Sequence, residues 1–202
     1  MIASYNQSEW TQFFNTNKED KMQQNITDIN IYFEDVNPLK IYFSNINKHP
    51  KLKISQDGQI VIDSSLGSKK FIACDPVIPS KGIYQFTFLI NQLGAVYIGI
   101  CILDKINIEK YYLDIWSKIN HGTYLLCNDG FVFSNHSQQV NKVETHLKFQ
   151  QNDKITVEVN QEAKTITWKK LGTNEFFTMQ IQNDQNLYPC LIIESSQMTI
   201  LN

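Results

Sequence analysis

Apolar and polar residues trade places every second position along most of this chain, and every third or fourth position only at its start. Trp10, Phe13 and Phe14 fall at i, i+3 and i+4 behind Ser8, a good N-cap, with Glu9 in the first turn. That spacing predicts one short helix. The stripe fades by Asp20, and residues 21–30 read as a polar connector. Residues 1–37 are therefore expected to be an extension of short helix and linker, with residues 38–202 forming a separate domain.

Past Pro38 the period is two. Leu39, Ile41 and Phe43 alternate with Lys40, Tyr42 and Ser44. Two short apolar runs, 52–54 and 59–62, flank Gln56-Asp57-Gly58, an Asp-Gly hairpin signal. Residues 70–74 make a further short run. Tyr84, Phe86, Phe88 and Ile90 then share one face, with Gln85 and Thr87 on the other. Residues 96–103 are apolar at every position, as a central strand covered on both faces would be. Residues 124–127 and 131–133 flank Asn128-Asp129-Gly130, a second tight turn. Alternation returns at Ile155, Val157 and Val159, at Ile166 and Trp168, and at Phe177, Met179 and Ile181. Residues 187–193 and 198–201 supply the last two runs. Many short strands joined by turn residues, with no β–α–β rhythm, predict an all-β sandwich of two antiparallel sheets.

The residues that carry this pattern resemble the SPRY/B30.2 family over about residues 40–201. Residues 48–55 followed by Asp57-Gly58 resemble its opening segment. Gly82-Ile83-Tyr84-Gln85-Phe86 resembles its G-x-Y-x-F strand, and Tyr97-Ile98-Gly99-Ile100-Cys101 its hydrophobic-I-G-I strand. Gly122-Thr123-Tyr124 leads to Gly130 as in the following hairpin. Phe149 to Val159, then Ile166-Thr167-Trp168, then Leu187-Tyr188-Pro189 complete the order. Asn152 stands where the family has glycine before Asp153; asparagine also tolerates a left-handed turn. The resemblance implies a twisted two-sheet sandwich that binds protein or peptide segments through loops at one end, without catalysis.

Composition narrows the partner. The 202 residues carry a net charge of −2, and all 18 basic residues are lysine. A chain with no basic excess and no arginine lacks the usual means of holding a phosphate backbone or reading guanine, so no nucleic acid is expected. No run approaches ~18 apolar residues, so no membrane span is expected. Neither a basic n-region nor an apolar h-region opens the chain. Cys74, Cys101, Cys127 and Cys190 lie far apart in apolar runs and read as buried free thiols in a cytoplasmic, reducing setting. The sequons at Asn6, Asn25 and Asn135 are no more than this Asn- and Ser-rich composition produces by chance. No cofactor and no metal are expected: His49, His121, His136 and His146 have no ligand spacing.

Catalytic signals are poor. There is no G-x-S-x-G elbow, no H-E-x-x-H pair and no P-loop. Glu158 and Glu162 are the nearest approach to a glycosidase pair, and both read as solvated charge. Recognition signals are better. A long insertion, 104–122, holds Tyr111, Tyr112, Asp114 and Trp116, and a second long loop, 134–148, holds Asn135 and His136. Long loops on a rigid sandwich carry function, and exposed aromatics anchor interfaces. Against this, Trp116 and one tyrosine could tuck under the loop as a satellite core. The reading is a non-catalytic protein-interaction module, a subunit of a larger intracellular hetero-complex with no further domain of its own. It grips a protein or peptide through Tyr111, Tyr112, Asp114, Trp116, Asn135 and His136. A carbohydrate- or small-ligand-binding sandwich is the alternative, and a hydrolase on the same architecture the third.

Overall fold

The structure is a computed structural model, and it describes residues 35–65, 67–111, 118–182 and 184–202. The expected helix around Trp10, Phe13 and Phe14 lies outside the described residues.

Among the described residues, fifteen strands arrange into two sheets. One sheet runs β13 (Phe176–Gln180), β12 (Thr165–Lys170), β11 (Lys154–Asn160), β6 (Ile83–Gln92), β15 (Gln197–Leu201), β4 (Ile60–Ile62), β3 (Lys53–Ile54). The other runs β10 (Val143–Glu144), β9 (Phe131–Phe133), β8 (Thr123–Cys127), β7 (Ala95–Ile102), β14 (Leu187–Glu194), β5 (Lys70–Asp75), β2 (Tyr42–Lys48). All these pairings are antiparallel. The exception is β1 (Val36–Pro38), which pairs in parallel with the start of β6, at Ile83–Gln85. Further along the same strand β15 takes over, at Thr87–Gln92. The side chain of Asn202 closes the corner by accepting from the Ile41 amide and donating to the Ile41 carbonyl.

The expected all-β sandwich of two antiparallel sheets is the fold observed. Alternation places Phe86, Phe88 and Ile90 of β6, Ile155, Val157 and Val159 of β11, and Ile166 and Trp168 of β12 on the inner face of the first sheet. They meet Ile72, Cys74, Val96, Ile98, Ile100, Tyr124, Leu126, Leu191 and Ile193 of the second. Full burial of each such side chain contributes roughly 1.5–3 kcal/mol.

The second sheet is apolar on its outer face as well, as the unbroken run in β7 predicts. Phe71, Ala73, Tyr97, Cys101, Leu125, Cys127, Phe133, Cys190 and Ile192 form a second buried cluster there. Part of its cover is the segment after β7: Leu103, in a single 3-10 turn, then Ile106, Ile108 and Tyr111 pack onto it. All four cysteines are free and buried. Burial pushes the Cys74 and Cys190 thiols well above their ordinary range, which makes them inert.

Candidate binding surface at the loop end of the sandwich

The segments joining β7 to β8, following β9, and joining β13 to β14 gather at one end of the sandwich. Tyr124, at the start of β8, ties two of them together. Its ring is fully buried, while its hydroxyl accepts from the Gln182 amide at 2.9 Å and lies 3.1 Å from His136 Nδ1. The amide can only donate, so the phenol proton points to His136, and Nδ1 is the acceptor. Burial holds the His136 imidazole below its ordinary pKa, which favours that neutral form.

A second knot joins the insertion to the loop after β9. The Asn135 side chain is fully buried, and its Oδ1 accepts from the Gly122 amide at 2.7 Å. The Asn135 carbonyl accepts from the Asn120 amide. The turn so held has positive φ at Asn120 and Gly122. At Gly122 a Cβ would sit 2.8 Å from that of Lys105, so glycine is needed for space as well as for φ. Asn141 adds a tie, its Oδ1 accepting from Ser134 N at 3.2 Å.

Tyr111 is 8 % exposed. Its ring meets Phe71 edge-on at 5.3 Å between centroids, and its hydroxyl donates to the His121 carbonyl and lies 2.8 Å from Thr123 Oγ1. The structure thus places Tyr111 and Asn135 beneath the surface as supports and His136 half-exposed at its edge. It brings all three into one region, because the two loops meet there. Tyr112, Asp114 and Trp116 lie outside the described residues.

His121, to which the sequence assigned no role, sits at the centre. Its Nδ1 accepts from Thr123, 3.3 Å from the amide and 2.9 Å from Oγ1. The ring proton therefore belongs on Nε2, which is buried and has no hydrogen-bond partner; Asn135 Nδ2 is in the same position. Burial lowers the His121 pKa; Asn141 and Ser134 oppose this from nearby without meeting Nε2 in hydrogen-bonding geometry. The only legible signal was a histidine beside the Gly122 turn.

On the surface the described residues form shallow depressions. One of about 440 Å³ is lined by Lys105, Asn107, Lys110, Lys118 and Asn120, with Tyr111, Ile119 and His121. Another of about 350 Å³ lies between Ser80, Asp104 and Asp184–Asn186. Glu158 and Glu162 do not form a pair: Glu158 binds Lys169 at 2.6 Å, and Glu162 accepts twice from the Gly82 amide. Among the described residues no three His, Cys, Asp or Glu side chains gather as a metal site, and no helix is long and apolar enough to cross a membrane. The Asn135 sequon cannot accept a glycan in this fold, since its side chain is buried.

No protein-family model and no curated protein matches the sequence. Solved structures do match. The SPRY domain of human HERC1 superposes with a TM-score of 0.58 at 21 % identity, over 79 % of this chain and 97 % of that one. The PSpry domain of TRIM65 gives 0.63 at 14 %, over 82 % and 94 %. The fold is that of a SPRY/B30.2 domain. Stonustoxin contains the same fold, with a TM-score of 0.65 at 11 % identity over 82 % of this chain but 27 % of its own. In this SPRY-like sandwich, Tyr97-Ile98-Gly99-Ile100-Cys101 lies in β7, in the middle of its sheet. Asn152 adopts φ 72°, the left-handed turn its side chain permits. The SPRY-like frame thus keeps both turns and strands where the motifs place them.

Proposed function

We propose that this SPRY-like chain is a non-catalytic protein-interaction module that grips a protein or peptide segment at the loop end of the sandwich. The observation that carries the reading is the pair of knots at Asn135 and Tyr124. They hold loops from three parts of the chain in one arrangement before any partner arrives, and an organised surface loses less entropy on binding. Its SPRY neighbours belong to a fold used for such recognition. In this reading Tyr112, Asp114, Trp116 and His136 contact the partner, the buried Tyr111 and Asn135 brace the described parts of the loops, and the chain serves as one subunit of an intracellular hetero-complex.

The test is capture of a stoichiometric partner from native extract by the full chain, followed by alanine replacement of Tyr112 and Trp116. The expected result is loss of capture with an unchanged melting temperature. A chain that stays alone at cellular concentration, or variants that bind as wild type, would overturn the reading.

A further inference from the structure

We infer that the Tyr124–His136 bond is an acid-sensitive latch: a proton taken up at His136 Nδ1 releases the loop after β9 from the β13–β14 segment, while the sandwich stays folded. The inference goes beyond the interaction-module reading and does not depend on it. It starts from the donors gathered around one oxygen. Tyr124 Oη lies 2.9 Å from the Gln182 amide and 3.1 Å from His136 Nδ1. Asn135 Nδ2 also faces it, short of hydrogen-bonding geometry. Amide nitrogens only donate, so of these three neighbours Nδ1 alone can take the phenol proton. Tyr124 is fully buried, so water does not reach the hydroxyl as a substitute.

Acid removes that acceptor. A proton from solvent takes the Nδ1 lone pair and makes the ring a cation with a donor at each nitrogen. The phenol oxygen then meets only donors, and its own proton has no acceptor. His136 is half-exposed, so the cation is better solvated with its ring turned to water. The loop after β9 thereby loses its tie to Gln182. Among the described titratable groups nearby, Asp184 acts on Tyr124 by charge alone, and His121 is turned to Thr123 and Tyr111. Burial is the cause that shifts His136, downward from 6.5. The latch is therefore closed above that value and opens as pH falls through the lower, folded-state value.

The experiment uses the ¹⁵N-labelled full chain between about pH 7.5 and about pH 5, a range that spans histidine titration. It reads the ring nitrogens of His136 and the hydrogen-exchange protection of the Gln182 amide, corrected for the intrinsic rate. The expected result is an unprotonated Nδ1 at the upper end. Gln182 protection should then fall about tenfold, the scale of one lost hydrogen bond, in step with the titration of His136. Amides in β8 and β11 should keep theirs. His136→Asn puts an oxygen that does not titrate near the place of Nδ1 and should remove the step. Tyr124→Phe should leave Gln182 poorly protected at every pH. A proton on Nδ1 at neutral pH, Gln182 protection that holds through the titration of His136, or the same step in H136N would overturn the inference. The first two readouts come from wild type, so they decide the matter even where a variant fails to fold.

Discussion

The indole N–H of Trp168, in one sheet, donates to the carbonyl of Ile98, in the other, at 2.8 Å. Two stacked sheets ordinarily meet through side-chain packing alone, so this bond fixes their relative position at one point. Trp168 is fully buried and stacks on Phe177 at 6.3 Å. Trp168→Phe keeps most of the packing and leaves the Ile98 carbonyl without that donor, an expected loss of ~1–3 kcal/mol. Trp168→Ala adds a cavity and should lose ~3–5 kcal/mol. Urea unfolding followed by circular dichroism separates the two, and a Phe variant as stable as wild type would show that the bond contributes nothing.

Next to Ile98, Gly99 has no room for any side chain. A Cβ would lie 1.9 Å from the Tyr124 carbonyl oxygen, in the neighbouring strand β8. Gly99→Ala must push β7 and β8 apart in the middle of the sheet, and more than ~4 kcal/mol is expected, seen as insoluble expression or a collapsed melting temperature. Gly172→Ala is the contrasting case. Its φ is +83° and nothing lies within 4 Å, so it should cost only the left-handed strain, ~1 kcal/mol.

Lys70 and Asp63 form an ion pair at 2.8 Å with side chains 1 % and 0 % exposed. Both members have further partners: Lys70 also donates to the Ser68 carbonyl, and Asp63 accepts from the Ser65 amide and hydroxyl and from the Ser195 amide. Removing one charge strands the other, so Lys70→Met and Asp63→Asn should each lose ~3–5 kcal/mol, and a Lys70→Met/Asp63→Leu double variant less than the sum of single losses. Additive losses in denaturant titration would contradict the coupling.

Acid stability follows from the same carboxylate. Burial raises its pKa, but the bonds from Lys70, Ser65 and Ser195 outweigh this and hold Asp63 below its ordinary 3.8. A depressed folded-state pKa means stabilisation that is complete above the unfolded value and is lost as pH falls from there through the folded value. Wild type should therefore lose melting temperature on acidification below about pH 4, and Asp63→Asn should lose less over the same window. Parallel slopes in a thermal scan against pH would remove Asp63 from the account.

Asn135→Ala would leave the buried Gly122 amide without its acceptor, at ~1–3 kcal/mol. Much of the loss should be local, appearing as faster hydrogen exchange at residues 118–122 than in β7. Unchanged exchange there would mean that Asn135 does not hold the turn.

Much of this fold is legible in the sequence where side chains alternate over enough positions. β6, β11 and β12 show it, as do the hairpins at Asp57-Gly58 and Asn128-Asp129-Gly130. What alternation does not mark stays hidden. β1 is three exposed residues ending in proline, and β10 is two; backbone pairing alone defines them. Lys70 opens a strand like any surface lysine, and nothing in the sequence links it to Asp63. The meeting of the two long loops could be anticipated from their length. That Tyr111 turns inward could not, because the tyrosine beside it in sequence carries the same chemistry. Asn135 likewise looks like a residue that reads a partner until its side chain is seen holding the backbone of Gly122.

The outer apolar layer of the second sheet has a practical corollary for anyone remaking this surface. Leu103, Ile106, Ile108 and Tyr111 are roofing as much as loop, so a library randomised across the whole insertion would mostly yield unfolded clones. Diversity placed at the exposed Lys118, Gln138 and Gln139 would change what is recognised while leaving the scaffold whole.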